Sequence, residues 1–324
     1  MKGLVLGKFM PFHTGHIALI DFALANTDTL IILVCANKNE PIDGYTRFNW
    51  LKDYYLHNKC IEVVYIEYND ALLPATSVSS PQSAEKWAAY LKENFPGIDL
   101  FISSEPYGEY VASYWGIVSL CFDKERTTVS VSATTIRNHP FKNWTYIPEI
   151  AQPYFVKKIG IVGAESTGKS ILAERLAAYY KTVFVPEMAR DIIAKTGDCT
   201  IEDLHTIAKV HAKTIIEKTA QANKLLLVDT DITITRSYGN FLFNTPIRTE
   251  DWIMQANRFD LYLFLETDSP YVQDGTRLNK ADRERLNLSH KNEFAKQCIS
   301  YHTIFGNWEE RFTTAIKIID QELF

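Results

Sequence analysis

Two clusters of residues carry chemistry in this chain, and both are built to hold phosphate. Gly163-Ala-Glu165-Ser166-Thr167-Gly168-Lys169-Ser170 is a complete G-x-x-x-x-G-K-[ST] pattern near the middle of the chain. Its glycines let the backbone bend until successive N–H groups point inward, Lys169 supplies a point charge for β- and γ-phosphates, and the Ser170 hydroxyl can ligate Mg²⁺. The second cluster is Gly7-Lys8-Phe9-Met-Pro-Phe-His13-Thr-Gly15-His16. Its two histidines, three apart at the start of a helical pattern, share one side of a first turn where free N–H groups and the helix dipole already favour an anion. Together they make a site for polyphosphate rather than metal.

Each cluster sits in a strand-loop-helix setting. The apolar run 158–162 suits a buried parallel strand, and 171–180 repeats apolar residues at helical spacing. In the first half, 2–6 reads as a buried strand and 17–25 as a helix. The alternation continues with strand 29–34, helix 46–56, strand 62–67, helix 84–94 and strands 99–102 and 117–121, as a doubly wound sheet requires. The expected fold class is α/β, with two doubly wound parallel-sheet domains. Residues 139–157 carry Pro140, Pro148 and Pro153 among several aromatics and break regular structure. A boundary near Pro153 gives domains 1–153 and 154–324, with the aromatic segment packed between them rather than serving as a loose tether.

Composition narrows the partners. A formal net charge of −5 over 324 residues offers no basic field for non-specific nucleic-acid binding. Five scattered cysteines without a C-x-x-C pair suggest neither a disulfide framework nor a zinc site. The apolar start is too short for a signal segment and no apolar run approaches membrane-spanning length, so a cytoplasmic protein is expected.

Further polar residues fall at the ends of the expected elements. Arg47 lies at the start of the second helix, placed for an acceptor phosphate or else a solvated helix-start arginine. Trp87 either stacks on a substrate ring or packs on its helix face. Ser103-Ser-Glu-Pro-Tyr107-Gly follows an apolar strand, where open α/β sheets place ligand loops. In the second half, Glu187 follows the strand expected at 182–185 and is the candidate for orienting or deprotonating an acceptor hydroxyl, with Arg190 as an acceptor or phosphate contact. The apolar run ending at Val228 leads into Asp229-Thr-Asp231. Asp229 is expected in a metal shell, and Asp231 as a helix cap or a substrate ligand. Helices are expected over 187–196 and 201–221, a strand at 261–265, then a charged, turn-rich lid over 271–285 bringing Arg277 and Arg283 over the phosphates, with Arg285 solvated. Strand 301–305 and helix 308–321 close the chain.

The pattern G-x-F-x-P-x-H-x-G-H resembles the first signature of the nucleotidyltransferase superfamily, which transfers AMP or CMP from a triphosphate. The resemblance implies that His13 and His16 stabilise charge on the triphosphate during in-line attack and that Gly15 permits close approach. Val131-Ser132-Ala-Thr134-Thr-Ile-Arg137 resembles the second signature, I-S-x-T-x-I-R, with Val131 for isoleucine. Ser132 and Thr134 would cap a helix and bind triphosphate oxygens, and Arg137 would supply a guanidinium fork, although a plain capping motif with a surface arginine has the same letters. Such a unit followed by a P-loop kinase resembles the bifunctional nicotinamide mononucleotide (NMN) adenylyltransferase and ribosylnicotinamide kinase family, the NadR type, over essentially the whole chain. Family-like segments include Asp43-Gly-Tyr-Thr-Arg-Phe-Asn-Trp50, Pro186-Glu-Met-Ala-Arg190 and Asp274-Gly-Thr-Arg277.

The resemblance implies a Rossmann-like transferase domain, a P-loop kinase domain and a salvage route. The kinase phosphorylates nicotinamide riboside with MgATP, and the transferase joins the resulting NMN to AMP, giving NAD and pyrophosphate. A homo-oligomer is left open, and from the acidic balance and the short apolar runs no nucleic-acid or membrane partner is expected. Some family members carry a helix-turn-helix segment ahead of the first domain and act as repressors. This chain opens on its first strand, which argues against an NAD-responsive transcriptional regulator. A fused phosphopantetheine adenylyltransferase and dephospho-coenzyme A kinase is the alternative enzyme. Trp87, Trp252, Tyr238 and Tyr107 are the candidates to stack a nicotinamide ring.

Overall fold

The computed structural model describes residues 1–69, 73, 81–123, 127–193, 199–268 and 279–324, with the side chains of 190 and 191 outside that set. The chain divides into two compact units, Met1–Gln152 and Pro153–Phe324. Among the described residues no helix is long and apolar enough to cross a membrane.

The first unit alternates β1 (Lys2–Gly7), α1 (Thr14–Ala25), β2 (Thr29–Ala36), α2 (Gly44–Tyr54), β3 (Ile61–Glu67), α3 (Pro81–Asn94), β4 (Leu100–Ser103), α4 (Tyr107–Trp115), β5 (Val118–Cys121) and α5 (Ala133–Asn138). Its strands are all parallel in the order β3-β2-β1-β4-β5. The continuous apolar run of β2, buried from Leu30 to Ala36, is what a sheet covered on both faces demands. One core packs Leu4, Leu33 and Phe101 of the sheet against Trp87, Leu91, Val111 and Trp115 of α3 and α4.

The second unit contains β6 (Lys157–Gly163), α6 (Lys169–Tyr180), β7 (Phe184–Val185), α7 (Ala189–Ile192), α8 (Ile201–Thr219), β8 (Leu225–Asp229), α9 (Ile232–Phe243), α10 (Asp251–Ala256), β9 (Leu261–Leu265), α11 (Lys280–Lys296), β10 (His302–Ile304) and α12 (Trp308–Leu323). Its parallel sheet runs β10-β9-β6-β8-β7. In each unit the strand leading into a phosphate-binding pattern, β1 or β6, lies at the sheet centre, and the pattern leaves from its carboxyl end toward a helix. That is where open parallel sheets hold ligands.

Four helices depart from the sequence expectation. α4, α9 and α10 were not anticipated, and the stretch expected to be a turn-rich lid becomes, from Lys280 onward, the regular helix α11 capped by Asn279. The β7 strand is two residues long, and α7 stops at Ile192.

Candidate active sites

In the first unit α1 is capped by its own histidines. The Gly15 N–H donates to His13 Nδ1 at 3.0 Å and the His13 N–H to His16 Nδ1 at 3.3 Å, a capping box made from imidazoles. With both Nδ1 atoms accepting, the hydrogen bonds assign each neutral ring its proton on Nε2. The rings lie 3.8 Å apart between centroids. A Cβ on Gly15 would fall 2.8 Å from His13 Cε1, so glycine is what lets that ring fold over the turn. Burial first, and the neighbouring His13 second, hold the His16 pKa well below the ordinary imidazole value. Phe9, itself buried, meets the His16 ring edge-on at 4.9 Å.

The second signature closes on the first. Ser132 caps α5 by accepting from the Thr135 N–H at 3.1 Å. Arg137 donates to Thr134 Oγ1 at 3.0 Å and to the carbonyl of Met10, 127 residues away in sequence. Residues 7–16 and 131–137 therefore form one wall.

Several expected ligand residues turn out to serve the fold. Arg47 is fully buried and donates to the carbonyls of Lys8 (2.5 Å), Cys35 and Asp43 (both 3.3 Å) and to Glu40 (2.5 Å), so it straps the loop after β1 and does not meet a phosphate. Glu40, which sequence reading passed over, also pairs with Lys8 at 2.9 Å. Burial works to lower the Lys8 pKa, but the hydrogen bonds its ammonium donates to Glu40 and Tyr68, with their charges, outweigh it and leave the pKa raised. Trp87 has no exposed surface and packs edge-on against Tyr68 in the core, so it stacks on no ligand. The Tyr107 ring belongs to the same core. The Ser103 hydroxyl donates to the Glu105 carbonyl at 2.8 Å, where a Cβ on Gly108 would strike it. The Ser103 and Tyr107 side chains are thus engaged within the fold, whereas Ser104 and Glu105 stay exposed.

In the second unit the loop before α6 needs its glycines. Gly163 (φ 140°) and Gly168 (φ 87°) are in the left-handed region, and a Cβ at either would lie 2.5 Å from the Leu265 carbonyl or 2.0 Å from the Trp308 ring. Thr167 Oγ1 and Lys169 Nζ both donate to the Ala164 carbonyl, at 2.8 and 3.1 Å. Ser170 Oγ donates to Asp229 Oδ2 at 2.5 Å, with Asp229 fully buried at the end of β8. A hydroxyl and a carboxylate brought together beside a phosphate cradle are hard oxygen donors of the kind Mg²⁺ takes, so the pair fits that ion.

Two buried arginines brace this loop from behind. Arg283 donates to the carbonyls of Glu165 (2.8 Å) and Ser166 (3.3 Å), so it fastens the cradle and is not part of a lid. Arg311 donates to the carbonyls of Thr167 (2.7 Å), Glu266 (3.1 Å) and Gly306 (2.8 Å) and pairs with Asp268. It was missed in the sequence, although Arg311, Ala315 and Ile319 form the buried i, i+4, i+8 stripe of α12, an odd place for a lone arginine. Asp231 caps α9 and accepts from the Tyr262 hydroxyl at 2.8 Å, buried and without access to substrate. Burial raises its pKa.

The remaining expectations divide. Glu187 is half-buried just past β7 and acts electrostatically on His211 and Tyr238. Tyr238 donates to Glu165 at 3.0 Å. Trp252, half-buried on α10, packs against the cluster of Ala208, Ile253 and Ala256. Arg285 is exposed and pairs with Asp282. Arg277 and the Asp274-Gly-Thr segment lie outside the described residues, as does the Arg190 side chain. Two buried histidines with no signal in the sequence flank the cradle. His290 interacts with Lys169, and His211 hydrogen-bonds to the Asp229 backbone.

Comparison with known proteins accords with this geometry. An AAA domain family matches residues 158–311. The trifunctional NAD biosynthesis/regulator protein NadR of Salmonella typhimurium is 28% identical over 98% of this chain and 82% of its own length. A solved structure of a NadR protein in complex with NR superimposes with a TM-score of 0.80 at 22% identity, covering 99% of this chain and 96% of that one. The protein of the same name from Escherichia coli is 30% identical over 85% of this chain and 71% of its own, and on that likeness the chain belongs to the NadR family.

Proposed function

We propose that this chain makes NAD in two ATP-consuming steps, one in each unit. The second unit phosphorylates the 5′-hydroxyl of nicotinamide riboside, and the first transfers AMP from ATP to the resulting NMN, releasing pyrophosphate. The observation that carries the reading is that each sheet ends its central strand in a finished phosphate cradle, built in two different ways. The curated relatives are named for NAD biosynthesis, and NR was bound in the solved NadR protein.

In the kinase half the loop N–H groups and Lys169 hold the β- and γ-phosphates. Ser170 and Asp229 would hold Mg²⁺, which when bound neutralises charge between those phosphates. Glu187 orients the acceptor hydroxyl and takes its proton as it attacks the γ-phosphorus, the bond to the β-γ bridging oxygen breaking and ADP leaving. In the transferase half the Nε2–H groups of His13 and His16 donate to triphosphate oxygens. Two of the five Arg137 N–H groups hold the wall together, and the rest form the fork that meets the charge building on departing pyrophosphate. Neutral histidine donors suit this task, because they stabilise developing charge without first needing to be protonated. Neither half needs a covalent intermediate, since positioning and charge stabilisation suffice. All five cysteines are thiols, in keeping with a cytoplasmic setting.

The test is direct. With MgATP and nicotinamide riboside the pure protein should form NMN and then NAD, and with 4′-phosphopantetheine it should form nothing. No NAD from the first mixture overturns the reading.

A further inference from the structure

His211 lies on the inward face of α8, buried, with its ring hydrogen-bonded to the Asp229 backbone. Among the described residues its Nε2 has no hydrogen-bond partner. Since the backbone partner is a carbonyl, Nδ1 carries the proton and Nε2 presents a lone pair. Leaving such an acceptor buried and unmet costs about 1–3 kcal/mol, which a ligand or a water would repay. Three features say which kind of ligand. The ring is anchored at the end of β8, on the residue whose carboxylate meets Ser170. The Glu187 carboxylate is its electrostatic neighbour from the end of β7. Both Nε2 and Glu187 accept and neither donates, so together they match a group rich in O–H donors, such as a sugar diol.

We propose that His211 is a recognition residue of the kinase half, accepting a hydrogen bond from a 2′- or 3′-hydroxyl of the acceptor nucleoside while Glu187 takes the reacting 5′-hydroxyl. This rests on the kinase reading above and adds the hydroxyl-bearing furanose as its selected feature. An acceptor built to meet a hydroxyl rejects the analogue lacking it, because the buried lone pair is then stranded.

The experiment compares nicotinamide riboside with its 2′-deoxy and 3′-deoxy forms on the full chain, in wild type and in His211→Phe. In wild type one deoxy form should lose at least tenfold in kcat/KM, and in His211→Phe that discrimination should shrink to within about twofold, with the KM for ATP unchanged. A purely structural histidine would lower all three substrates alike and leave their ratios intact, which overturns the proposal. The wild-type comparison decides even if His211→Phe does not fold, because equal use of all three nucleosides means that only water satisfies Nε2. If wild type phosphorylates none of them, the kinase reading itself falls; if it phosphorylates all three equally, only this inference does.

Discussion

The two cradles solve one electrostatic problem with different materials. In the first unit the phosphate-facing donors are side chains, a pair of imidazoles locked to each other through the turn that they cap. In the second they are main-chain N–H groups, aimed by glycines at positive φ and by a loop whose carbonyls are gripped from behind by Arg283 and Arg311. A side-chain cradle keeps its shape through local contacts, chiefly Phe9, Phe12 and Gly15 around the histidines. A backbone cradle is only as firm as what holds its carbonyls, and here those holders come from helices more than a hundred residues away in sequence. Damage to the first should therefore come from within its motif, and damage to the second also from a distance.

The sharpest break is reciprocal. Lys169→Ala should lower kinase turnover by about 10³ while leaving adenylyl transfer to supplied NMN within twofold, and His16→Ala should lower the transfer by ~10²–10³ and spare the kinase. Separate assays of each half-reaction check this, and joint loss in a folded variant contradicts independent sites.

The next effect is on stability. Arg311→Met removes donors from three carbonyls, that of Thr167 buried, and takes the guanidinium from Asp268, at a cost of about 2–4 kcal/mol to the second unit. Arg311→Lys should rescue little, because one ammonium cannot reproduce the fork. Denaturant unfolding with a probe in each unit would show the transition of the second moving alone.

A smaller effect separates the units by pH. Burial, then the charge of Lys169, lowers the His290 pKa from 6.5 to about 3. Below pH 6.5 the unfolded chain takes a proton that the folded one refuses, so stability falls as pH falls from 6.5 toward 3, by about 2 kcal/mol between pH 6.5 and pH 5. His290→Phe should flatten that slope in the second unit, read by unfolding at pH 7 and pH 5. Smallest of all, Trp87→Phe should cost about 1–2 kcal/mol of stability through lost packing and leave the KM for NMN unchanged, as a core residue must. A raised KM without loss of stability would return Trp87 to the substrate.

How far the sequence could be read follows the same division. Phosphate-binding shape is encoded locally, in the glycines of 163–170 and the histidine pair of 13–16, and both sheets follow from apolar runs placed before those motifs. What could not be read depends on partners distant in sequence. Arg47 and Arg283 look like phosphate ligands until the carbonyls they serve are located. Glu40 looks like an ordinary surface charge, and Arg311, odd on the apolar stripe of α12, gives no sign of the carbonyls it serves. The start of α9, Ile-Thr-Ile-Thr, is β-branched and offers no helical signal of its own. Its cap at Asp231 and its packing on β9 and α11 impose the helix. Trp87 shows the converse, an aromatic whose chemistry invites a ligand and whose position on an apolar helix face removes it from one.

The central claim, one triphosphate cradle in each unit, is tested most directly by calorimetric titration of the full chain with the non-hydrolysable analogue AMP-PNP and Mg²⁺. Two molecules should bind per chain in wild type, and one in either Lys169→Ala or His16→Ala. A single molecule bound by the wild-type protein, or loss of both from one substitution in a folded chain, would contradict it.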